Sequence, residues 1–297
     1  MVIVRLMGGL GNQMFQYASA RALAHRRRQE IFLDLSAFQT DSLRTYQLAP
    51  FRIVANQIDS LTVQRLTGYR QPGVGGFLRR SFQYVKPYFK RSVVCQRVDL
   101  GFDAHFFAVP NTVLLIGYWQ SEMYFADIAP MIRAEFSLRG SLSSASQAVG
   151  QIIRGTNSIS IHVRRGDYVS DPVVNKLNGM LSVEYYAIAI ERMTTAIPTP
   201  HFFVFSDDIA WVRKSLHIGH PTMYIEHNGP GMEHEDLILM SMCRHNITAN
   251  SSFSWWGAWL NTNPDKIVIA PQTWFVDPAL SKTVQDIVPS SWLRIPN

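Results

Sequence analysis

Short runs of apolar residues alternate along the chain with longer stretches in which apolar positions recur at helical spacing. The apolar runs occupy Val2–Leu6, Ile31–Leu35, Val113–Ile116, Ile159–Val163, Phe202–Phe205, Ile247–Ala249 and Ile267–Ala270. Runs of this length, separated by amphipathic segments, are typical of strands in a parallel sheet whose faces are covered by helices. The pattern therefore predicts an α/β protein.

The alternation is interrupted in two places. A small, polar stretch, Arg139–Ser144, precedes a helix-like segment, Ala145–Arg154, and then a new strand. This break predicts an N-terminal domain of residues 1–142 and a C-terminal domain of residues 143–297. Between residues 39 and 110 the pattern is irregular and contains a cluster of glycines beside Pro72, so the N-terminal domain is predicted to carry an insertion there.

The composition is that of a folded protein. The 297 residues are 47% apolar and 17% charged, unlike the charge-rich composition of disordered chains. No apolar run reaches the roughly 20 residues of a membrane span, and the chain opens on the strand-like Val2–Leu6 without a basic leader. Cys95 and Cys243 have no neighbouring Cys or His at a zinc-site spacing. We therefore expect a cytoplasmic protein.

The net charge of +6 is concentrated in one segment. Residues 60–98 contain no acidic residue and eight basic ones, with aromatic residues between them: Arg65, Arg70, Arg79, Arg80, Lys86, Lys90, Arg91 and Arg97. Such a segment suits an anionic membrane surface or a phosphate-bearing substrate, and the alternative is a solvated face. Nucleic acid is not expected as a partner, because no helix-turn-helix, zinc-finger or RNA-recognition pattern accompanies the charge.

A glycine-rich loop follows the first predicted strand. The residues Gly8–Gln13 lead into an alanine-rich helix, an arrangement that can hold a nucleotide or another anion. Asp34, at the end of the next strand, would suit a ribose contact in a dinucleotide fold. Met14, however, stands where that fingerprint needs a small residue. The amides of Asn12 and Gln13 suit sugar hydroxyls, and a tight turn capped by Asn12 is the structural alternative.

A second motif, His162–Asp167, runs from a strand directly into two arginines, a glycine and an acid. Arginine is a preferred phosphate ligand because its planar guanidinium donates two parallel hydrogen bonds. His162 lies on the opposite strand face from its apolar neighbours, so it could hydrogen-bond a ligand. The structural alternatives are a satisfied core histidine and an ion pair between Asp167 and Arg164 or Arg165.

A third strand, predicted over Phe202–Phe205, ends in Ser206, Asp207 and Asp208. One carboxylate at this position can accept both N–H groups on the Watson–Crick edge of guanine. The alternative is that Ser206 or Asp207 caps the helix that follows.

The fourth motif joins a strand to a helix through Asn250–Phe253. Serine hydroxyls, backbone N–H groups and the helix dipole all favour phosphate there. The nearby Trp255, Trp256 and Trp259 are expected in the core. No Asp-x-Asp sequence occurs in the chain, so we expect no metal, and arginine and the helix end would stabilise a bound diphosphate.

Four motifs are spread, in order, over nearly the whole chain: Gly8–Gln13, Gly117–Phe125, His162–Asp167 and Ser251–Trp259. Their order and spacing resemble those of the bacterial α1,2-fucosyltransferases of glycosyltransferase family 11. The resemblance implies two Rossmann-like domains in a variant of the B-type glycosyltransferase fold. It also implies GDP-β-L-fucose as donor substrate, inversion at the anomeric carbon, and no required metal or other cofactor.

The resemblance also implies individual roles. Arg164 would hold the β-phosphate of the donor, and His162 with Asp207 would bind guanine. The full set of donor-binding residues that we expect is Gly9, Asn12, Gln13, His162, Arg165, Asp207, Asn250, Ser251, Ser252 and Phe253. The C-terminal domain would bind GDP-fucose, and the N-terminal domain would face the acceptor.

The implied reaction transfers L-fucose to the 2-hydroxyl of a terminal galactose on a glycan, which could be lipid-linked. Arg164 is one catalytic candidate. The general base would be Asp167, Glu122 or Asp171, in that order, because these carboxylates lie near the motifs. Contact of residues 60–98 with a membrane would place the protein at the inner membrane face.

Two other classes of function stay open at this point. A dinucleotide-dependent oxidoreductase rests on the glycine loop and Asp34. A non-catalytic protein that binds sugar or a membrane surface rests on the basic segment 60–98. A thermal-shift assay separates the three classes, because GDP, NAD(P)H or neither would stabilise the protein.

Overall fold

The computed structural model describes residues 1–69, 85–96, 100–166 and 179–297. The chain divides into two compact units, Met1–Arg139 and Gly140–Asn297. Each unit is built on one parallel sheet with helices packed on it, which confirms the α/β prediction. The division falls within the polar stretch that interrupts the apolar pattern.

The N-terminal unit has a five-stranded sheet in the order β3-β2-β1-β5-β4. Its strands are β1 (Val2–Arg5), β2 (Ile31–Asp34), β3 (Asn56–Ile58), β4 (Val93–Cys95) and β5 (Val113–Ile116). The central strand β1 is buried because it pairs on both sides, with Val4 opposite Leu33 and Leu115. The strand order reverses between β1 and β5.

Among the described residues, this unit has three α-helices: α1 (Leu10–Arg27), α2 (Ser60–Thr67) and α3 (Ala129–Glu135). Helix α1 ends in a basic turn that complements the helix dipole, and Arg28 closes it in the left-handed conformation with φ 52°. Helix α2 begins at Asp59, whose side chain accepts a hydrogen bond from the Thr62 N–H, and Val63 packs against the sheet.

Part of the segment predicted as an insertion, residues 39–110, belongs to the sheet itself. It supplies β3 and β4, the two edge strands. Four of its basic residues lie outside the described residues: Arg70, Arg79, Arg80 and Arg97. Of the eight basic residues in the segment 60–98, the structure describes Arg65, Lys86, Lys90 and Arg91.

The C-terminal unit has a six-stranded parallel sheet in the order β11-β10-β9-β6-β7-β8. Its strands are β6 (Asn157–Val163), β7 (Pro200–Ser206), β8 (Thr222–Tyr224), β9 (His245–Ile247), β10 (Val268–Pro271) and β11 (Leu293–Ile295). Three consecutive strands extend to one side of the centre and three to the other, which is the order of a Rossmann fold. The reversal lies between β6 and β9.

The described part of this unit, which lacks residues 167–178, also contains six α-helices: α4 (Ser144–Arg154), α5 (Val183–Ala196), α6 (Ile209–Ser215), α7 (Glu233–Met242), α8 (Ser252–Leu260) and α9 (Pro278–Thr283). Trp255, Trp256 and Trp259 of α8 are buried, as the sequence predicts, with Trp255 and Trp259 parallel and Trp256 edge-on to both. Within the described parts of the chain, no helix is long and apolar enough to cross a membrane.

The chain between the two units is fixed at both ends by hydrogen bonds within each unit. The Arg139 guanidinium donates to the carbonyl oxygens of Phe51, at 2.7 Å, and Ile53, at 3.1 Å. The Ser143 N–H and hydroxyl both donate to the Glu235 carboxylate, at 2.8 and 2.6 Å. Residues 140–142 therefore join two separately anchored ends.

Candidate functional site

The C-terminal sheet brings three of the sequence motifs to one edge. Because β6, β7 and β9 are parallel, the residues that follow them all lie at the carboxyl edge of the sheet. Ligands of such sheets bind in the crevice at this edge where the strand order reverses. The residues that reach it are His162–Gly166 from β6, Asp207 and Asp208 from β7, and Asn250–Phe253 after β9.

His162 lies near the end of β6 and is 4% exposed. Burial lowers the pKa of His162 to about 4, and the Arg164 charge lowers it further while Asp207 works in the opposite direction. The imidazole is therefore neutral at physiological pH. Its Nδ1 is buried and has no hydrogen-bond partner among the residues that the structure describes, and its ring centre lies 5.4 Å from that of Phe253. A buried unpaired ring nitrogen suits a contact with a ligand group.

Arg164 and Asp207 form an ion pair across β6 and β7. The Arg164 Nη1 lies 2.8 Å from the Asp207 Oδ2, and the backbone N–H of Arg165 donates to the Asp207 Oδ1 at 2.8 Å. The side chains of Arg164 and Asp207 are 26% and 25% exposed, so a ligand can reach both. The pair fixes the position of the Arg164 guanidinium at the crevice.

Gly166 gives the Asp207 carboxylate the space it needs. A Cβ atom on Gly166 would come within 2.6 Å of the Asp207 Oδ2, closer than real side chains approach. Since that oxygen is held by Arg164, any side chain at position 166 would displace the carboxylate from its partners.

Arg165 is held by protein groups rather than directed at a ligand. Its Nε lies 3.1 Å from the Asp208 Oδ2, and its guanidinium stacks 3.8 Å from the ring centre of Trp211. Asp208 also caps helix α6, accepting a hydrogen bond from the Trp211 N–H at 3.0 Å. The cap that the sequence assigns to Ser206 or Asp207 therefore belongs to Asp208, which leaves Asp207 for Arg164.

The fourth motif places the start of helix α8 at the same edge. The Ser251 hydroxyl caps the helix by accepting from the Phe253 N–H at 3.3 Å, and Ser252 is the first helical residue. Asn250 is buried, and its amide donates to the carbonyl oxygens of Gly179 and Trp274 at 3.1 and 3.2 Å. Asn250 thus fixes the loop, and the serines with the helix dipole offer an anion site.

The glycine loop of the N-terminal unit lies at the carboxyl edge of the other sheet. Gly8 has φ +75°, a conformation that favours glycine, and a Cβ there would come within 2.7 Å of the Asn12 Nδ2. Gly9 is the residue before helix α1. The Asn12 Oδ1 accepts from the Gln120 Nε2 at 2.8 Å, so Asn12 joins two loops of this edge.

The Gln13 side chain connects the glycine loop to residues 45–47 at the same edge. Its buried amide donates to the carbonyl oxygens of Gly8 and Thr45, each at 2.8 Å, and accepts from the Gln47 N–H at 2.9 Å. Three hydrogen bonds to the protein indicate that Gln13 shapes the loop.

Asp34, on which the oxidoreductase reading rests, is buried in the N-terminal sheet. It accepts two hydrogen bonds from the Arg5 guanidinium, at 2.9 and 2.7 Å, and one from the Ser36 N–H. A carboxylate engaged in this way does not suit a ribose contact, so the geometry disfavours a dinucleotide at this sheet.

Of the three carboxylates proposed as general base, the structure describes one, Glu122. Glu122 is half-buried on a 3₁₀ turn after β5 that Ser121 caps. Burial lowers the pKa of the nearby Arg133, and Glu122 partly opposes that shift. Asp167 and Asp171 lie outside the described residues.

Metal-binding clusters were sought among the His, Cys, Asp and Glu side chains. Residues 1–69, 85–96, 100–166 and 179–297 contain no group of three or more that could hold a metal ion. The expectation of metal-independent activity stays a prediction.

Three features of these edges are not apparent from the sequence. Trp211 stacks on Arg165, Gln120 bonds to Asn12, and Tyr118 stands 37% exposed beside a buried tryptophan. The motif Gly117–Phe125 contains Tyr118 and Gln120, and so it is the signal that could have found them.

The two units define a class of protein. Each is a Rossmann-like α/β unit, and the second carries an arginine, a buried histidine and a helix N-terminus at its strand reversal, which together suit a nucleoside diphosphate. Two such units in one chain are characteristic of the B-type glycosyltransferase fold. The chain belongs to glycosyltransferase family 11: the family model "Glycosyl transferase family 11" matches residues 1–296.

Curated relatives agree with this family. An Escherichia coli alpha-1,2-colitosyltransferase is 34% identical over 99% of this chain and 98% of its own length. The O-antigen biosynthesis glycosyltransferase WbnK of Escherichia coli is 33% identical over 98% of this chain and 99% of its own length. The galactoside 2-alpha-L-fucosyltransferase Sec1 of Mus musculus is 28% identical over 91% of this chain and 67% of its own length.

Proposed function

We propose that this glycosyltransferase transfers L-fucose from GDP-β-L-fucose to the 2-hydroxyl of a terminal galactose, with inversion at the anomeric carbon. The 2-oxygen attacks C1 of fucose from the face opposite the diphosphate, and a new C1–O bond forms. The C1–O bond to the β-phosphate breaks, GDP leaves with the electron pair, and the hydroxyl proton passes to a base. An α1,2 linkage is named for two of the relatives reported above.

The observation that carries the proposal is the Arg164–Asp207 pair beside the start of helix α8. Negative charge grows on the β-phosphate as the glycosyl bond breaks, and a fixed guanidinium stabilises that charge. The Ser251 and Ser252 hydroxyls and the Phe253 N–H would contact the phosphates. The test is transfer from radiolabelled GDP-fucose to a panel of galactosides, and absence of product with every galactoside would refute the proposal.

We assign guanine to His162 and Asp207. Asp207→Asn keeps the shape of the side chain but replaces one acceptor with a donor, so the guanine N1–H and N2–H would lose their partner. The affinities for GDP and IDP separate two roles, because IDP lacks the N2 amine. Loss of the GDP preference supports guanine recognition, whereas equal weakening of both nucleotides reports only the disturbed Arg164.

The similarity to a colitosyltransferase favours a second candidate donor, GDP-colitose. Colitose is fucose without its 3-hydroxyl, so the two GDP-sugars differ by one hydrogen-bonding group. A site built to bond that hydroxyl rejects the deoxy sugar strongly, and an apolar site does not. Comparing kcat/KM for the two GDP-sugars with one galactoside decides between the donors.

We propose that catalysis needs no metal, because Arg164 and the start of α8 supply the positive charge. Transfer should then persist in excess EDTA. Loss of activity in EDTA that Mn²⁺ or Mg²⁺ restores would overturn this part of the proposal.

The general base stays a choice among Asp167, Glu122 and Asp171. Replacing the base with its amide should abolish transfer while GDP binding is retained, since the base acts on the acceptor hydroxyl. Asp167→Asn, Glu122→Gln and Asp171→Asn can be compared directly. A variant with normal turnover excludes its residue.

We also propose that the basic segment lies against a membrane that carries a lipid-linked acceptor. Its described parts combine exposed apolar side chains, Leu61 at 62% and Val85 at 86%, with the basic residues Arg65, Lys86 and Lys90. Co-sedimentation with phosphatidylcholine vesicles containing phosphatidylglycerol, but not with pure phosphatidylcholine, supports the proposal. Equal sedimentation with both refutes it.

A further inference from the structure

The N-terminal sheet has its own strand reversal, between β1 and β5. Three loops meet at its carboxyl edge: the glycine loop after β1, residues 41–47 after β2, and residues 117–121 after β5. Doubly wound sheets bind ligands at such a reversal. Hydrogen bonds hold these loops and fix the side chains at their surface.

The loop after β5 is held in a strained conformation. The Gln96 Oε1 accepts hydrogen bonds from the N–H groups of Tyr118 and Trp119, at 2.7 and 3.0 Å. Trp119 has φ +53°, which is rare for a bulky residue, and its ring is 3% exposed against Phe106. Strain of this kind persists where the surroundings over-determine it, and it clusters at binding sites.

One aromatic residue of this strained loop, Tyr118, is exposed to solvent. Tyr118 is 37% exposed, between the buried Gly117 and Trp119. Burial of its hydroxyl raises the pKa of Tyr118, with Asp41 adding to the shift and Arg44 opposing it, so the ring lies beside the loop after β2. A partly exposed aromatic ring on a loop held by hydrogen bonds suits the apolar side of a sugar ring.

A planar amide stands next to this ring. The Gln120 Nε2 donates to the Asn12 Oδ1 at 2.8 Å, which fixes the plane of the amide. The Gln120 residue is partly exposed, and its Oε1 belongs to the same fixed amide plane. A fixed, accessible carbonyl oxygen is an acceptor for a sugar hydroxyl.

We propose that this edge binds the acceptor sugar, with Tyr118 as its stacking platform and Gln120 as its hydroxyl acceptor. Asn12 is a positioning residue that orients the Gln120 amide, and Gln13 holds residues 45–47 in place. The ligand class is a neutral hexose with one apolar face, such as galactose. The inference rests on the proposed glycosyl transfer and names where its second substrate binds.

The test measures the two substrates separately in Tyr118→Ala, Tyr118→Phe and Gln120→Ala. The acceptor KM should rise about tenfold in Tyr118→Ala and in Gln120→Ala, because each loses one main contact. Tyr118→Phe keeps the aromatic face and should stay within about threefold of the parent. The KM for GDP-fucose and its slow hydrolysis without acceptor should not change.

Val54→Ala is the matched control, since Val54 is 60% exposed and precedes the amino end of β3, at the opposite edge of the same sheet. It should leave both KM values unchanged. Thermal unfolding shows whether each variant is folded.

The outcomes distinguish the two proposals. If transfer proceeds and the acceptor KM is unchanged in Tyr118→Ala and Gln120→Ala, the acceptor binds elsewhere and this inference is wrong. If these variants raise the KM for GDP-fucose instead, the edge belongs to the donor. If the parent neither binds GDP nor hydrolyses any GDP-sugar, the proposed function itself fails.

Discussion

The two sheets of this protein are both parallel and both contain a strand reversal, but the side chains at their carboxyl edges differ in chemistry. Both are parallel, and both place functional side chains at the carboxyl edge where the strand order reverses. In the C-terminal unit the crevice holds the ion pair Arg164–Asp207 and the buried, neutral His162. In the N-terminal unit the corresponding edge presents the amide of Gln120 and the ring of Tyr118.

On the two proposals above, the strand order fixes where each ligand binds, while the loop residues fix which ligand it is. A diphosphate needs fixed positive charge, because its own charge increases as the leaving group departs. A neutral sugar needs hydrogen-bonding groups and an apolar face. The predictions below would break or sharpen this division.

The largest expected effect is at Arg164. Arg164→Ala should lower kcat by about 10²–10³, as when one electrostatic donor is removed from a reacting centre. Arg164→Lys keeps the charge but loses the planar guanidinium, so it should remain impaired. Steady-state kinetics on folded variants measures both effects.

Arg213→Ala is the control for this experiment, because Arg213 pairs with Glu226 at the surface of the same unit. It should turn over at the parent rate. A folded Arg164→Lys variant with near-parent turnover would move the phosphate contact away from Arg164.

A comparable effect is expected on the pH dependence of stability. Below pH 6.5 the His162 imidazole of the unfolded chain takes up a proton, while the folded protein resists protonation until about pH 4. The free energy of unfolding should therefore be highest above pH 6.5 and fall by about 3 kcal/mol as the pH drops through this window. Urea unfolding at several pH values measures the fall.

His162→Gln provides the reference for this measurement. Burial raises the pKa of Asp236 to about 6, which has the opposite effect on stability, and that contribution cancels in the difference between parent and variant. The parent should lose stability more steeply than His162→Gln below pH 6.5. Parallel curves would show that His162 is not buried in its neutral form.

A smaller effect is expected from Gly166→Ala. The added Cβ displaces the Asp207 carboxylate, so GDP affinity should fall about tenfold through loss of the charged contacts. Gly140→Ala is the matched control, because a Cβ there meets nothing within 4 Å. Isothermal titration with GDP compares the two, and equal affinities would mean that Asp207 tolerates displacement.

The smallest expected effect is a difference in how the KM values of the two substrates depend on salt. Raising sodium chloride from about 0.05 to 0.5 M should raise the KM for GDP-fucose by about threefold, since a screened guanidinium attracts phosphate less strongly. The KM for a neutral galactoside should change by less than twofold. A large salt effect on the galactoside would mean that charge also binds the acceptor.

The apolar pattern predicts the interior of each sheet and not its edges. Each of the seven apolar runs overlaps a strand of the structure, although the run Ile247–Ala249 shares only Ile247 with β9, whereas the four edge strands, β3, β4, β8 and β11, are not predicted. Each edge strand has three residues and pairs on one side, so its sequence needs no continuous apolar run. The polar Asn56–Ile58 illustrates this.

The site is predicted in its positions but not in its hydrogen bonding. Strand-end motifs identify Arg164, His162 and Asp207 as neighbours, because parallel strands end together. The sequence cannot show that Asp208 and Trp211 hold Arg165, since this depends on how the loop after β7 folds back. Partners that come from separate loops are fixed by tertiary structure.

Arg139 and Ser143 are each anchored within their own unit. The codons for residues 140–142 are therefore a suitable place for recombination between two related genes. The partners of Arg139, the carbonyls of Phe51 and Ile53, are inherited with the first half of the gene, and Glu235 is inherited with the second. A crossover in the three intervening codons would give a chimaera in which both anchors remain complete. Acceptor preference and donor preference could then be exchanged between relatives in one genetic event.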